Sequence, residues 1–236
     1  MMRTKMGIFK HTKSGKRFFF IHIPRTAGRF IEETLKTQGW EYEVPQKNIT
    51  LTRLETLNVP GGMYDSVEGI EIAHFHKELY EKYLDIKDIP HVSIIRDPID
   101  RFISASRFLT RYYKTFFNKN DEEIQEYIEN SFKSSLYTQQ EDPRFPESIN
   151  WYRAQIDFIS DKTNIWRFED GLGNEFSKWI SNIVGINIKT DPHLKYHSDY
   201  PAYTLRRTEK LVKCVKNFYK KDIFKFYNEK KTHQLT

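Results

Sequence analysis

Among its 236 residues the chain has a single cysteine, Cys214. That excludes an internal disulfide framework and any zinc cluster built on thiolates, and it suits a reducing compartment. Long apolar runs are also missing. The longest near the start, Phe18-Phe19-Phe20-Ile21, stays far below the ~20 residues of a membrane span even when extended to Ile23. The amino terminus, MMRTKMGIFKHTKSGKR, is basic like the start of a signal peptide, but no hydrophobic segment or small-residue cleavage site follows it. The expectation is a cytoplasmic protein, or one trimmed of an anchor. There is little excess of either charge: 38 Lys and Arg stand against 32 Asp and Glu, a net +6 that suits an anionic ligand and equally an ordinary solvated surface. Internal repeats and low-complexity linkers are absent, and the length fits one domain spanning 1-236. The hydrophobic fraction is only 38%, yet aromatic residues make up 15%, and large rings bury enough area for a real core.

Strands and helices alternate along the chain. Lys16 to Ile23 turns aromatic and aliphatic without alternation and stops at Pro24, as a strand covered on both faces does. From Arg29 a short amphipathic helix follows, with Phe30, Ile31, Thr34 and Leu35 on one side and Gly39 as its stop. Residues 41 to 68, with Pro45, Pro60 and Gly61-Gly62, read as a loop-rich excursion with one short helix around Leu51 to Leu57. Ile70 to Phe75 alternates like a strand, His76 to Leu84 is helical, and His91 to Arg96 is a second buried strand running into Asp97-Pro98. Helices are expected over 98 to 117, 121 to 136, 148 to 160 and 170 to 184, and one or two more over 204 to 227. A strand is expected over 163 to 168. This order implies an α/β fold with a mainly parallel central sheet flanked by helices.

Two turns carry chemistry. The first, Pro24 to Phe30 (Arg25, Thr26, Ala27, Gly28, Arg29, Phe30), joins a strand to a helix, and a helix N-terminus offers free N–H groups and a positive dipole end to a phosphate or sulfate. The chain has no G-x-x-x-x-G-K-[ST] motif, which argues against nucleotide hydrolysis with magnesium. In the second, Arg96 emerges from a strand and Ser104 follows on the next helix, a guanidinium fork and a hydroxyl able to clamp a second phosphate. Asp97 either caps that helix, with Pro98 at its first position and Arg101 a surface charge, or orients an arginine.

These residues resemble the sulfotransferases that use 3′-phosphoadenosine 5′-phosphosulfate (PAPS), in the branch that modifies carbohydrates, such as the heparan sulfate 2-O and 6-O enzymes and their bacterial relatives. Phe20-Ile21-His22-Ile23-Pro24-Arg25-Thr26-Ala27-Gly28 is similar to that branch's F-x-H-I-P-K-T-G-G loop for the 5′-phosphosulfate. Arg96 to Ser104 is similar to its R-D-P-x-x-R-x-x-S segment for the 3′-phosphate. The likeness continues through Gln155, Arg167 to Asp170, Pro192 to Lys195 and the helix of Tyr219 to Tyr227. It implies a P-loop-like three-layer fold, PAPS as donor and no required metal. It also implies a hydroxyl-bearing acceptor such as a glycan or glycolipid, with no nucleic acid and no integral membrane segment.

The chain departs from the family pattern at three positions. The loop lysine is Arg25, whose guanidinium keeps the charge but donates a proton poorly. The hydroxyl residue after the last loop glycine is Arg29, and the first glycine is Ala27, a small change provided that position needs no positive φ. The resemblance makes Arg25 the group that stabilises the leaving phosphate, with Thr26 to Arg29 on the 5′ group, Arg96 and Ser104 on the 3′-phosphate, and Lys195 closing over the phosphates. A general base is needed, and His74 or His76 at the end of the second strand titrates in the right range. Only one of them is expected to reach the pocket, and His74 matches the family's histidine better. A His-x-His metal site lacks an obvious third ligand nearby. The competing readings are a kinase with similar phosphate loops and a non-catalytic polyanion or nucleic-acid binder.

Overall fold

The computed structural model describes residues 7–43, 52–55, 63–67, 70–71, 75–112, 119–131, 152–191 and 205–228. Its main sheet begins with a hairpin: β1 (Gly7–His11) and β2 (Arg17–Ile21) pair antiparallel, with Phe9 opposite Phe18. Gly15 takes the positive φ of 70° that the connecting turn requires. Helix α1 (Gly28–Lys36) follows, and β3 (Trp40–Glu43) pairs antiparallel with β1. The strands β4 (Thr52–Glu55), β5 (Met63–Val67) and β6 (Ile70–Glu71) form a separate antiparallel sheet.

Helix α2 (Lys77–Tyr83) leads to β7 (His91–Ile95), which lies parallel to β2, with Phe20 opposite Val92. Helices α3 (Pro98–Tyr112) and α4 (Asp121–Ser131) come next. A 3-10 turn over Gln155–Phe158 then precedes β8 (Thr163–Arg167), parallel to β7. A second 3-10 turn (Phe168–Asp170) and helices α5 (Asn174–Val184), α6 (Glu209–Phe218) and α7 (Lys220–Phe226) complete the described elements.

The sheet order is β3-β1-β2-β7-β8. The expectation of a mainly parallel sheet needs correction. Two of the four neighbouring pairs are antiparallel, because β1 runs against both its neighbours, so the sheet is mixed. The half that carries the two phosphate-type turns, β2-β7-β8, is parallel throughout.

Side chains of β2 alternate between two cores, and both are apolar. Phe19 and Ile21 join Leu79, Tyr80, Phe158 and Phe226 beneath α2, the first 3-10 turn and α7. Phe18 and Phe20 join Ile31, Leu35, Phe176 and Ile180 beneath α1 and α5. This is why the strand reads as an unbroken apolar run. A third cluster, including Phe102, Ile124, Leu211, Val215 and Tyr219, packs α3, α4 and α6 together. Among the described residues, no helix is long and apolar enough to cross a membrane.

Candidate functional site

β2, β7 and β8 run side by side in one direction, so the segments following Ile21, Ile95 and Arg167 emerge at one edge of the sheet. In open α/β sheets that edge, beyond the carboxyl ends of parallel strands, is where ligands bind. The chain places Arg25, Arg96 and Phe168 there.

The turn from β2 into α1 is tightly bound to itself. Thr26 is fully buried, and its hydroxyl donates to the Ile23 carbonyl at 2.8 Å. Two residues of this turn, neither a glycine, adopt the left-handed backbone: Arg25 at φ 69° and Ala27 at φ 71°. The condition under which Ala27 is a harmless replacement for glycine is therefore not met, and the loop carries strain there. Ala27 is the N-cap of α1, no side chain caps that end, and the first turn of the helix holds no acidic residue. A helix end without a side-chain cap presents its opening N–H groups and its positive dipole end to an anion. The Phe30 ring is buried in the core beside Ile31 and Leu35, and Arg29 is exposed.

The second turn differs. Asp97 Oδ1 accepts hydrogen bonds from the N–H groups of Ile99 (2.9 Å) and Asp100 (3.0 Å), so Asp97 caps α3, one of the two roles open to it in the sequence. α3 thus has its N-terminus closed by a carboxylate, and α1 does not. Arg101, one reading of which is a surface charge, is fully buried. Its guanidinium donates to the Arg153 carbonyl at 2.6 Å and lies 5.2 Å from the Tyr219 ring centroid.

The two turns meet. Arg25 Nε donates to Ser104 Oγ at 3.0 Å, and Arg96 Nη1 donates to the Arg25 carbonyl at 3.4 Å. The Arg25 guanidinium sits 5.0 Å from the ring centroid of Phe108 on α3, which gives that ring a place at the site. Arg96 lies 4.6 Å from the Phe168 ring centroid. Its Nε is buried and has no hydrogen-bond partner among the described residues, the kind of orphaned donor that a bound anion satisfies. Burial pulls the Arg96 guanidinium below the usual arginine range, opposed by the nearby carboxylates of Asp100, Glu169 and Asp97. Asp100 is itself ion-paired with Arg207.

Two site neighbours escaped the sequence reading as functional residues. Besides Phe168 beneath Arg96, Glu169 Oε1 accepts the Asp97 N–H at 2.6 Å, and Glu169 Oε2 accepts the Tyr227 hydroxyl at 3.2 Å. Their signal was positional: both follow directly on the carboxyl end of a parallel strand.

His76 is nearly buried and forms the N-cap of α2, its carbonyl accepting the N–H groups of Leu79 and Tyr80. Burial first, and then Arg153, holds its imidazole down at about 4. His22 is also buried, with its ring stacked 6.1 Å from that of Phe20. His74 and Lys195 lie outside the described residues. Among the described residues no group of three or more His, Cys, Asp or Glu side chains is arranged to hold a metal ion.

The site thus gathers two guanidinium groups, a hydroxyl and an open helix N-terminus on a parallel sheet edge, an arrangement suited to a ligand with two separate anionic groups. Comparison with known protein families gives a match over residues 11–179, well over half of the chain, to a family described as the Sulfotransferase family. Comparison with curated proteins and with solved structures gives no match.

Proposed function

The chain belongs to the sulfotransferase family, and on that premise we propose that it transfers a sulfuryl group from PAPS to a hydroxyl of a carbohydrate. The observation that carries this reading is the meeting of the two anion-type turns, Arg25 with Ser104 and Arg96 with the Arg25 carbonyl. One clamp alone would serve any phosphate. Two clamps, neither containing the Lys-Ser or Lys-Thr pair that serves magnesium nucleotides, suit a nucleotide phosphorylated at both ends of its ribose. The orphaned Nε of Arg96 and the uncapped end of α1 fit such a ligand.

Bound PAPS supplies the sulfuryl group and a bisphosphate leaving group. The opening N–H groups of α1, with Thr26 to Arg29 around them, hold the 5′ group, while Arg96 and Ser104 hold the 3′-phosphate. As the acceptor oxygen bonds to sulfur and the bond from sulfur to the 5′-phosphate oxygen breaks, Arg25 stabilises the charge that develops on that oxygen. A guanidinium does this electrostatically and keeps its proton. His74 takes the proton of the acceptor hydroxyl, and Lys195 closes over the phosphates. His76, held at about 4, is far from the poise of a base working near neutrality. The acceptor follows from the resemblance of the two motifs to the carbohydrate branch, and a glycan or glycolipid is its expected form.

Thermal denaturation with nucleotides tests the donor. At a hundredfold excess over Kd a ligand adds about 2.7 kcal/mol of stability, easily seen as a raised Tm. Adenosine 3′,5′-bisphosphate should give that rise, and ATP with Mg²⁺ far less. Equal stabilisation by the two would remove the two-clamp reading.

A further inference from the structure

Arg96 sits where its strand stops. The ladder between β7 and β8 ends with Ile95 opposite Arg167, so among the described residues no strand fixes the direction of the next residue's backbone. The Gln155 side chain takes that place. Its Oε1 accepts the Arg96 N–H at 2.9 Å, and its Nε2 donates to the Arg96 carbonyl at 2.8 Å, a two-way pairing like that of a neighbouring strand.

Gln155 is fully buried and is itself held by α7. Asp222 Oδ2 accepts the Gln155 N–H at 2.8 Å, and Asp222 Oδ1 accepts the Ile156 N–H at 2.9 Å. Asp222 is fully buried as well, with the Arg101 guanidinium as its opposing charge. A continuous chain of polar contacts thus runs from α7 through the turn at Gln155–Phe158 to the backbone of Arg96. Arg101, from the same short segment as Arg96, anchors its far end. The family match stops at residue 179, so the part given to Asp222 comes from this structure alone.

We propose that Gln155 and Asp222 are positioning residues for the Arg96 clamp, setting the direction in which Arg96 leaves its strand and thereby the preference for a nucleotide that carries a 3′-phosphate. The inference rests on the donor reading given above. Fully buried hydrogen-bonded groups often serve stability alone, and what distinguishes this pair is its aim: both Gln155 side-chain bonds fall on one residue, and that residue carries the clamp. The 5′ group would be held on α1 and its loop, to which no hydrogen bond among the described residues joins Gln155 or Asp222. Loss of either residue therefore acts on one end of the ligand.

The test is titration of adenosine 3′,5′-bisphosphate and of adenosine 5′-phosphate into the full chain and its variants, each first shown to be folded by a cooperative melt. In Gln155→Met, which keeps the shape and removes both bonds, affinity for the bisphosphate should fall about tenfold, while affinity for the monophosphate stays within about twofold. Asp222→Asn should shift the same ratio in the same direction by less, since one of its two accepted bonds survives. Gln155→Glu, which keeps the acceptor oxygen, stands in should Gln155→Met fail to fold. An equal weakening of both nucleotides, or none, overturns the positioning role. A wild-type protein that does not distinguish the two nucleotides overturns the donor reading and this inference together. A discriminating wild type with unchanged variants overturns the inference alone.

Discussion

Ala27 and Arg25 hold a backbone conformation that costs an L-residue about 1–2 kcal/mol, and they do so at φ 71° and 69° in the loop that faces the expected ligand. Glycine at position 27 would relieve that cost and give back about 0.5–1 kcal/mol through the greater freedom of the unfolded chain. Ala27→Gly should therefore stabilise the protein by a net amount on the order of 0.5–1 kcal/mol, raising Tm by about 2 °C in a chain of this size. A thermal melt decides it, and a lowered Tm would mean that the alanine is not strained in solution. The sequence made Arg25, Arg96 and Ser104 legible as residues of anion-binding type. It did not show that Arg25 and Ser104 bond to each other, because that contact joins residues far apart in the chain and depends on the register of β2 against β7. Nor could it show Arg101 as buried, since the Asp222 charge that makes burial tolerable comes from the last described helix.

At the level of elements, the strands with the densest aromatic and aliphatic runs and the helices α1, α3 and α5 were legible, because burial on two faces or on one stripe leaves a clear period. The segment around Leu51 to Leu57 was not: Thr52–Glu55 is a strand and not a helix, its four residues too few to show any period and its partner, β5, separated from it by Pro60 and two glycines. The helix expected over 148 to 160 is, within the described residues, a 3-10 turn at Gln155–Phe158, which Asp222 holds through two backbone N–H groups. The strand Gly7–His11 hid in a basic terminus that also fits the start of a targeting segment.

Helix α2 carries a pH dependence. His76, its N-cap, has its pKa lowered from 6.5 to about 4, so the unfolded chain binds a proton more readily than the folded one between those values. Stability is then complete above about 6.5 and falls as the pH drops toward 4, by up to roughly 1.4 kcal/mol for each pH unit. His76→Gln should flatten that slope by one proton in denaturant titrations made at several pH values, and should leave sulfuryl transfer near the wild-type rate. His74→Ala should do the reverse, keeping nucleotide affinity and lowering kcat by about 10² to 10⁴. Near wild-type transfer by His74→Ala, or a loss confined to His76→Gln, would reassign the base.

Across the whole molecule, the antiparallel hairpin at one end of the sheet and the parallel set β2-β7-β8 at the other divide the work. The hairpin and β3 extend the sheet that α1 and α5 cover, whereas the parallel strands deliver three successive turns to one edge. The alternation of elements in the sequence pointed to the α/β class. It could not show that β1 runs against its neighbours, because strand direction depends on pairings that leave no local mark. The central claim is that Arg96 binds the 3′-phosphate of the donor, and it is tested most directly by isothermal titration of adenosine 3′,5′-bisphosphate into Arg96→Ala. The account predicts a loss of about 1.5–3 kcal/mol in binding, the range for a hydrogen bond to a charged group, with affinity for adenosine 5′-phosphate retained. Wild-type affinity of Arg96→Ala for the bisphosphate would contradict it.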